Sequence, residues 1–436
     1  MLHEIQELSS EEQGLIESDS MEMLLAEYLA KFAKNENLKS KLTGNDTSST
    51  PEPECPGFNL KDCLFFDIET TGLSASTAFV FLIGCISYND GKWALHQLFI
   101  RMVQEEKQLL QAFAELARDK RALVHFNGNT FDIPFLKKRA AANRTSVDFS
   151  HFVSVDLYQW FRPLKKKLSL LHMNQSYLEK VAGWERTDQM DGAEVVSLFW
   201  DYTVSRSTES EQLLLGHNHD DLIGMLRISL LEGCLALFEG KIQPDVIGEV
   251  SDDQTALLLH FTTILPLPPR IKPEPLLLFT PCTRKSSPEP SSDSSSLLPE
   301  CQENAKREDL ICLSISDCHG TLRIPFHQGT LRHYFQDYKN YYYLPLEKQV
   351  IHKSVAAYVA KEYRTPARPE NCFASMEGSF LPLPHNYNCP QQAAFFGPVM
   401  REDYSSTDYY FQYQKEFLTQ KENLAAYAKM LLSGIF

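Results

Sequence analysis

Asp67 and Glu69 stand one residue apart in Phe65-Phe66-Asp67-Ile68-Glu69-Thr70-Thr71-Gly72. On a strand, residues i and i+2 share a face, so the two carboxylates project side by side. The residues ahead of them, Cys63-Leu64-Phe65-Phe66, are apolar without a break, the pattern of a strand buried on both faces. Adjacent carboxylates repel unless a cation lies between them, and hard oxygen donors select Mg²⁺ or Mn²⁺. The alternative, solvated acids on an exposed edge strand, does not fit the apolar run.

A second acid, Asp132, closes Asn127-Gly128-Asn129-Thr130-Phe131-Asp132, between the apolar run Ala122–Phe126 and a helix with Pro134 in its first turn. Ligands gather at such strand ends in open α/β sheets, and Asn-Gly suits a turn close to a ligand. Taken alone, Asp132 could simply cap that helix; the first motif tips the reading toward a ligand. The third group is His217-Asn218-His219-Asp220-Asp221, read as the start of an apolar helix over Asp221–Leu237. A His-x-x-x-Asp pair shares one helical face, and N-capping by Asn218 or Asp220 is compatible with Asp221 binding metal. Four carboxylates, Asp67, Glu69, Asp132 and Asp221, can hold two cations about 3.5–4 Å apart, the arrangement that hydrolyses phosphodiesters. His217 would orient or deprotonate the attacking water.

The elements that must carry these residues follow from periodicity. Phe79–Tyr88 and Trp93–Ile100 read as an antiparallel hairpin around Asn89-Asp90-Gly91. Glu105–Arg118 is a helix with Leu109, Leu110, Phe113 and Leu116 on one face, Ala122–Phe126 a further strand, and Asp191–Tyr202 a helix. A three-strand meander followed by alternating helix and strand opens a ribonuclease-H-like mixed α/β sheet flanked by helices.

The motifs resemble those of the DEDD-type 3′–5′ exonucleases in the ribonuclease-H-like superfamily, most closely the bacterial YprB-like branch. Phe-Phe-Asp67-Ile-Glu69-Thr-Thr-Gly-Leu, the Gly128–Asp132 turn, Asp191-Gly192-Ala193-Glu194 and His217-x-x-x-Asp221 carry the resemblance over about Leu60–Ala236. It implies a two-metal 3′–5′ exonuclease using Mg²⁺ or Mn²⁺. In it Asp67 would touch both ions, Glu69 and Asp221 the ion that activates water, and Asp132 mainly the other. The third motif departs from the family, which usually has Tyr-x-x-x-Asp or His-x-x-x-x-Asp; His217 sits at the tyrosine spacing. The water-orienting role is therefore open between His217 and His219, and Asp220 is an outside candidate for the ligand.

The expected partner is a nucleic acid with a 3′ end. The chain has a net charge of −15, which argues against a coat-like nucleic-acid binder, but Lys137, Lys138, Arg139, Arg144, Arg162, Lys165, Lys166 and Lys167 form a local basic stretch. Lys165, Lys166 and Lys167, in a loop, are its best phosphate contacts; Thr70, Asn127 and Phe131 are further nucleic-acid candidates. Phe131 and Trp160 could stack on a terminal base, although core packing explains each of them better. Packing on a half-buried strand likewise accounts for Tyr338, Tyr341, Tyr342 and Tyr343.

The 436 residues, 43% hydrophobic and 23% charged, divide by composition into three parts. Residues 1–57 read as a helical leader and linker, with an amphipathic helix over Met21–Lys34 that could dock on the body or on a protein partner. Residues 58–239 are the exonuclease-like domain. Residues 240–436 read as a mainly β domain, another possible partner surface, with a mobile Ser/Pro-rich segment near 283–300, a helix over Val350–Glu362 and another over Gln414–Leu432. The start carries no signal-peptide pattern and the chain no long apolar run. The ten cysteines form no Cys-x-x-Cys pair and read as free thiols of a cytoplasmic protein. Two other readings compete: a binding module with this fold and no cleavage, which the intact set of four acids disfavours, and a haloacid-dehalogenase-type phosphotransferase, which would want Asp-x-Asp.

Overall fold

The computed structural model describes residues 1–42, 59–168, 170–188, 190–268, 276–279, 311–384 and 396–434. The chain divides into two compact units, one of residues 1–235 with 267–271, the other of residues 236–266 with 272–436. The linker expected over residues 42–56 and the Ser/Pro-rich segment near 283–300 fall almost wholly outside the described residues.

The first unit is built on a six-stranded mixed sheet: β1 (Leu2–Glu7), β2 (Cys63–Thr70), β3 (Val80–Asn89), β4 (Lys92–Phe99), β5 (Ala122–His125) and β6 (Val153–Asp156), in the order β1-β4-β3-β2-β5-β6. Strands β1 to β4 pair antiparallel, while β5 and β6 run parallel to β2. The expected hairpin around Asp90-Gly91 is present; both residues take positive φ, 51° and 86°, as a tight turn between right-twisted strands requires. One expectation fails. Leu2–Glu7, read as part of a helical leader, is an edge strand on β4. Only Leu2 is even half-buried there, so it lacks the apolar alternation by which a strand is recognised.

Helices α1 (Ser10–Ile16) and α2 (Asp19–Leu42) follow β1. Ser9 and Glu12 form a capping box on α1. Met21, Leu24 and Leu25 of α2 are buried, and the Tyr28 hydroxyl donates to the Ser154 carbonyl at 2.6 Å, so this helix docks on its own unit. On one side of the sheet α3 (Glu106–Ala117) and α4 (Asp132–Ala142) pack Leu109, Leu110, Phe113 and Leu136 against Leu64, Phe66 and Leu123. Then come α5 (Leu157–Phe161), α6 (Leu164–Lys167), α7 (Gln175–Val181), α8 (Gly192–Ser205), α9 (Thr208–Ile228) and α10 (Glu232–Phe238). Asp191 caps α8, accepting from the N–H groups of Ala193 and Glu194.

Helix α9 corrects a boundary. It begins at Thr208, capped by Ser207, so His217 and Asp221 lie well inside a 21-residue helix rather than at its start. The polar face of its first turns hid the beginning. Asn218, offered as a cap, is fully buried mid-helix.

The second unit is rich in β structure. β7 (Ile247–Val250), β8 (Ala256–Thr262), β9 (Leu276–Phe279), β10 (Ile311–Ser316) and β11 (His319–Pro325) form a five-stranded antiparallel sheet. β12 (His327–Tyr334), β16 (Phe373–Leu383) and β17 (Tyr409–Gln412) form one three-stranded sheet. β13 (Tyr341–Leu344), β14 (Gln349–His352) and β15 (Thr365–Pro366) form another, which puts Tyr341, Tyr342 and Tyr343 on a half-buried strand as expected, whereas Tyr338 stands on a 3₁₀ turn ahead of it. The helix expected over Val350–Glu362 is instead β14 followed by two 3₁₀ turns; Val350 and Ile351 find cross-strand partners in Tyr343 and Tyr342. The final helix, α11, runs Lys421–Gly434. Among the described residues no helix is long and apolar enough to cross a membrane. Six described cysteines are free thiols, four of them buried.

Candidate metal centre

Strand β2 outruns its neighbour. Its parallel ladder with β5 ends at Phe65↔Val124, so Asp67 and Glu69 project beyond the end of β5. The turn after β5 fills the open edge: the Ile68 backbone N–H donates to the Asp132 carboxylate, which opens α4 and makes no cap. Asn127 takes φ 60°, a left-handed conformation that asparagine tolerates, and donates its N–H to Asp156 at 3.0 Å. The sharp turn delivers Asp132 to β2.

Helix α9 brings the third group across β2 and β3. Gly84 of β3 pairs with Asp67, and a Cβ there would lie 2.1 Å from Asn218 Oδ1 and 2.7 Å from Leu222; the helix can approach only because this residue is glycine. Asn218 Nδ2 donates to Asp67 Oδ2 at 3.3 Å, while Gln97 Nε2 donates to Asn218 Oδ1 at 3.2 Å and to the Leu215 carbonyl at 2.7 Å. One turn apart, His217 and Asp221 face Glu69: His217 Nε2 lies 3.3 Å from Asp221 Oδ2 and 3.6 Å from Glu69 Oε1.

Two residues that the sequence reading missed complete the site, both from the segment between α7 and α8. Asp188 pairs with His217 Nδ1. Arg186 donates from Nη1 to Asp221 Oδ1 at 2.7 Å, and from Nε and Nη2 to Glu179 at 2.5 and 2.6 Å. Glu179 itself is fully buried on α7, and Gln175 Nε2 donates both to Glu179 Oε1, at 3.0 Å, and to the Asp221 carbonyl, at 2.7 Å. A buried acid on the short apolar face of Leu178 and Val181 demands a partner, the one signal that could have led to Arg186. Nothing in the local sequence marks Asp188.

The electrostatics fit divalent cations. Burial first, then the charges of Asp221, Glu69 and Asp132, push the Asp67 carboxyl well above the usual carboxylate range; Arg186 opposes them. Glu69 is raised in the same way, by burial and then by Asp221 and Asp132. Asp132 is pushed up to about 7, chiefly by burial, against the hydrogen bond from Ile68. A cation among these oxygens removes the repulsion. Among the described residues, Glu69, His217 and Asp221 form a group whose donor atoms lie within 4.8 Å of one another.

His219 turns away, 3.5 Å from Glu12 of α1 and 3.4 Å from Asp220, so neither His219 nor Asp220 joins the carboxylates. Thr70 Oγ1 donates to the Gly72 carbonyl at 3.0 Å. Asn127 Oδ1 accepts from Thr130 Oγ1 at 2.9 Å. Phe131 is half-buried against Phe135, ring centroids 5.4 Å apart, and Trp160 is a core residue whose Nε1 donates to Glu232 at 2.7 Å. Arg139 is committed to buried Glu106. Lys165, Lys166 and Lys167 sit on the single turn of α6 rather than in a loop, the first two exposed.

A family model described as the RNase_H superfamily matches residues 64–230. The uncharacterized protein YprB of Bacillus subtilis (strain 168) is 26% identical over 178 residues, 39% of this chain. The chain spans only 42% of the length of that curated relative. Among solved structures, similarity extends to the family B DNA polymerase from the hyperthermophilic archaeon Pyrobaculum calidifontis, with 18% identity over 40% of this chain and 25% of that one and a TM-score of 0.33. It extends also to product-bound exonuclease I, with 12% identity over 46% of this chain and 58% of that one and a TM-score of 0.22. The mixed sheet and the matched residues together make the first unit's core, from Leu64 to Leu230, a ribonuclease-H-like domain.

Proposed function

We propose that this domain is a metal-dependent 3′–5′ exonuclease of the DEDD type, hydrolysing phosphodiester bonds at the end of a nucleic-acid strand. The observation that carries the reading is the meeting of Asp67, Glu69, Asp132 and Asp221, drawn from three separate stretches of chain, in one mutually repelling cluster in which Asp132 is buried and the other three are half-buried. Structural acids are not drawn together away from water without counter-charge, and among the described residues Arg186, the cation set against them, does not neutralise four. Two divalent ions, Mg²⁺ or Mn²⁺, would be held by these four residues and would supply charge stabilisation to the attacking and leaving oxygens.

The chain's own residues set the geometry. Asn218 steadies Asp67 through Nδ2, the Ile68 N–H steadies Asp132, and Arg186 fixes one oxygen of Asp221. His217 is held by Asp188 with Nε2 turned to the carboxylates. Exposed Lys165 and Lys166 are the proposed phosphate contacts outside the cluster. The 3′–5′ direction follows from the motif resemblance.

The test is digestion of end-labelled single-stranded DNA and RNA with Mg²⁺, Mn²⁺ or EDTA, beside Asp67→Ala. Shortening from the 3′ end that needs metal and disappears in the variant is the expected result. A folded protein that binds strands and cuts neither polymer would leave a binding module. Cleavage indifferent to Asp67→Ala would remove the site assignment.

A further inference from the structure

We infer that His217 Nε2 is itself a metal ligand, so that the ion held by Glu69, His217 and Asp221 is a first-row transition dication taken in preference to Mg²⁺. The inference rests on the reading above that these carboxylates bind divalent metal, and it replaces the water-orienting role expected of His217.

Three observations lead there. First, Asp188 pairs with Nδ1, which places the proton of a neutral ring on Nδ1 and turns the Nε2 lone pair toward Glu69 Oε1 at 3.6 Å and Asp221 Oδ2 at 3.3 Å. A carboxylate on the far nitrogen is how ligating histidines are oriented and made more basic. A lone pair facing two carboxylate oxygens has nothing to accept from unless a cation or a proton lies between them.

Second, the spacing suits shared coordination. Two donors each bound at ~2.1 Å to one ion stand no more than ~4.2 Å apart, and both separations from Nε2 lie within that reach. Third, Asp221 is already divided. Arg186 occupies Oδ1 at 2.7 Å and is itself clamped by fully buried Glu179, which leaves Oδ2 alone to face His217. The centre therefore offers one imidazole nitrogen with two carboxylate oxygens. Mg²⁺ favours oxygen donors and retains its waters, whereas imidazole shifts preference toward first-row transition ions.

The experiment uses the full chain, stripped of metal and titrated with Mn²⁺ and separately with Mg²⁺ by calorimetry, followed by pulsed EPR of the Mn²⁺ form. The expected result is ¹⁴N modulation from a directly bound imidazole. It should be absent in His217→Ala, which binds Mn²⁺ at least about 10-fold more weakly and Mg²⁺ almost as well as wild type. Asp188→Asn should keep the modulation and lose about 10- to 100-fold in Mn²⁺ affinity. Mn²⁺ binding without ¹⁴N modulation in the wild type, or modulation that survives His217→Ala, overturns the ligand role and leaves the carboxylate centre standing. A folded protein that binds neither ion overturns both. The wild-type spectrum decides the question even if His217→Ala fails to fold.

Discussion

Arg186→Met is the perturbation that most directly tests how the site is held together. The side chain makes three charge-assisted hydrogen bonds, two to Glu179 at 2.5 and 2.6 Å and one to Asp221 at 2.7 Å. Glu179 is fully buried, and Arg186 retains only 12% side-chain exposure. Methionine keeps much of the volume and removes the charge, leaving a carboxylate with Gln175 as its one remaining side-chain donor among the described residues. Breaking a buried pair from one side costs about 3–5 kcal/mol, because the remaining charge is stranded. For a unit of this size, with a urea m-value of about 3 kcal/mol per M, the midpoint should fall by about 1–1.7 M.

The loss should also depend on pH. Burial outweighs Arg186 and raises the Glu179 carboxyl from its ordinary value, and without Arg186 it rises further. A carboxyl raised on folding binds a proton in the native state that the unfolded chain does not hold. Stability therefore falls as pH climbs from the unfolded value through the folded one. The deficit of Arg186→Met relative to wild type should be small near pH 4 and complete at pH 8. Adding Glu179→Gln removes the stranded charge and should recover at least half of the loss. Urea titrations of wild type, single and double variants at both pH values decide it. A single-variant loss below about 1 kcal/mol at pH 8, or no recovery in the double variant, would refute the clamp.

Three further outcomes are expected. Because burial raises the Asp132 carboxyl to about 7, metal-free protein should lose on the order of a few kcal/mol between pH 5 and pH 8. Asp132→Asn should flatten that slope in thermal melts while removing at least about 10²-fold of nuclease rate, since one metal ligand carries several kcal/mol of transition-state stabilisation. Gly84→Ala puts a methyl 2.1 Å from Asn218 Oδ1 and should cost about 1–3 kcal/mol as the helix is pushed off the sheet, with activity falling alongside the melting temperature. Lys165→Glu with Lys166→Glu should weaken strand binding for all sequences alike and flatten its salt dependence by about two units of slope, as titrations between 50 and 200 mM salt would reveal, while metal affinity stays unchanged.

The elements legible in the sequence are those with a strong local signature. β2, the β3–β4 hairpin, α3 and α8 carry apolar periodicity, a turn pair or a cap, and each stands where expected. The elements that misread lack such a signature. β1 is an exposed edge strand whose ladder with β4, not an apolar face, makes it a strand. The first turns of α9 are polar. Val350–Glu362 has helical composition, but cross-strand pairing with the tyrosines of β13 overrides its local preference.

The same distinction runs through the site. An acid of the proposed metal site is visible in sequence because its immediate surroundings are wrong for it: Asp67 and Glu69 interrupt a buried strand, and Asp132 follows a turn at a strand end. The groups that orient those acids break no local rule. Arg186 and Asp188 lie in an irregular, charged segment where each would be unremarkable on a solvated surface. Their meaning comes only from α7 and α9 lying side by side, which sets Glu179 against Gly224 so closely that a Cβ there would fall 1.8 Å from Glu179 Oε1. Arg186 then has one place to go, between the buried acid that anchors it and Asp221, the proposed ligand it restrains. What tertiary packing adds to the four carboxylates is therefore the assignment of each oxygen to a partner: Asp221 Oδ1 to Arg186, Asp67 Oδ2 to Asn218, Asp132 to the Ile68 N–H, and the remainder to the space that His217 faces.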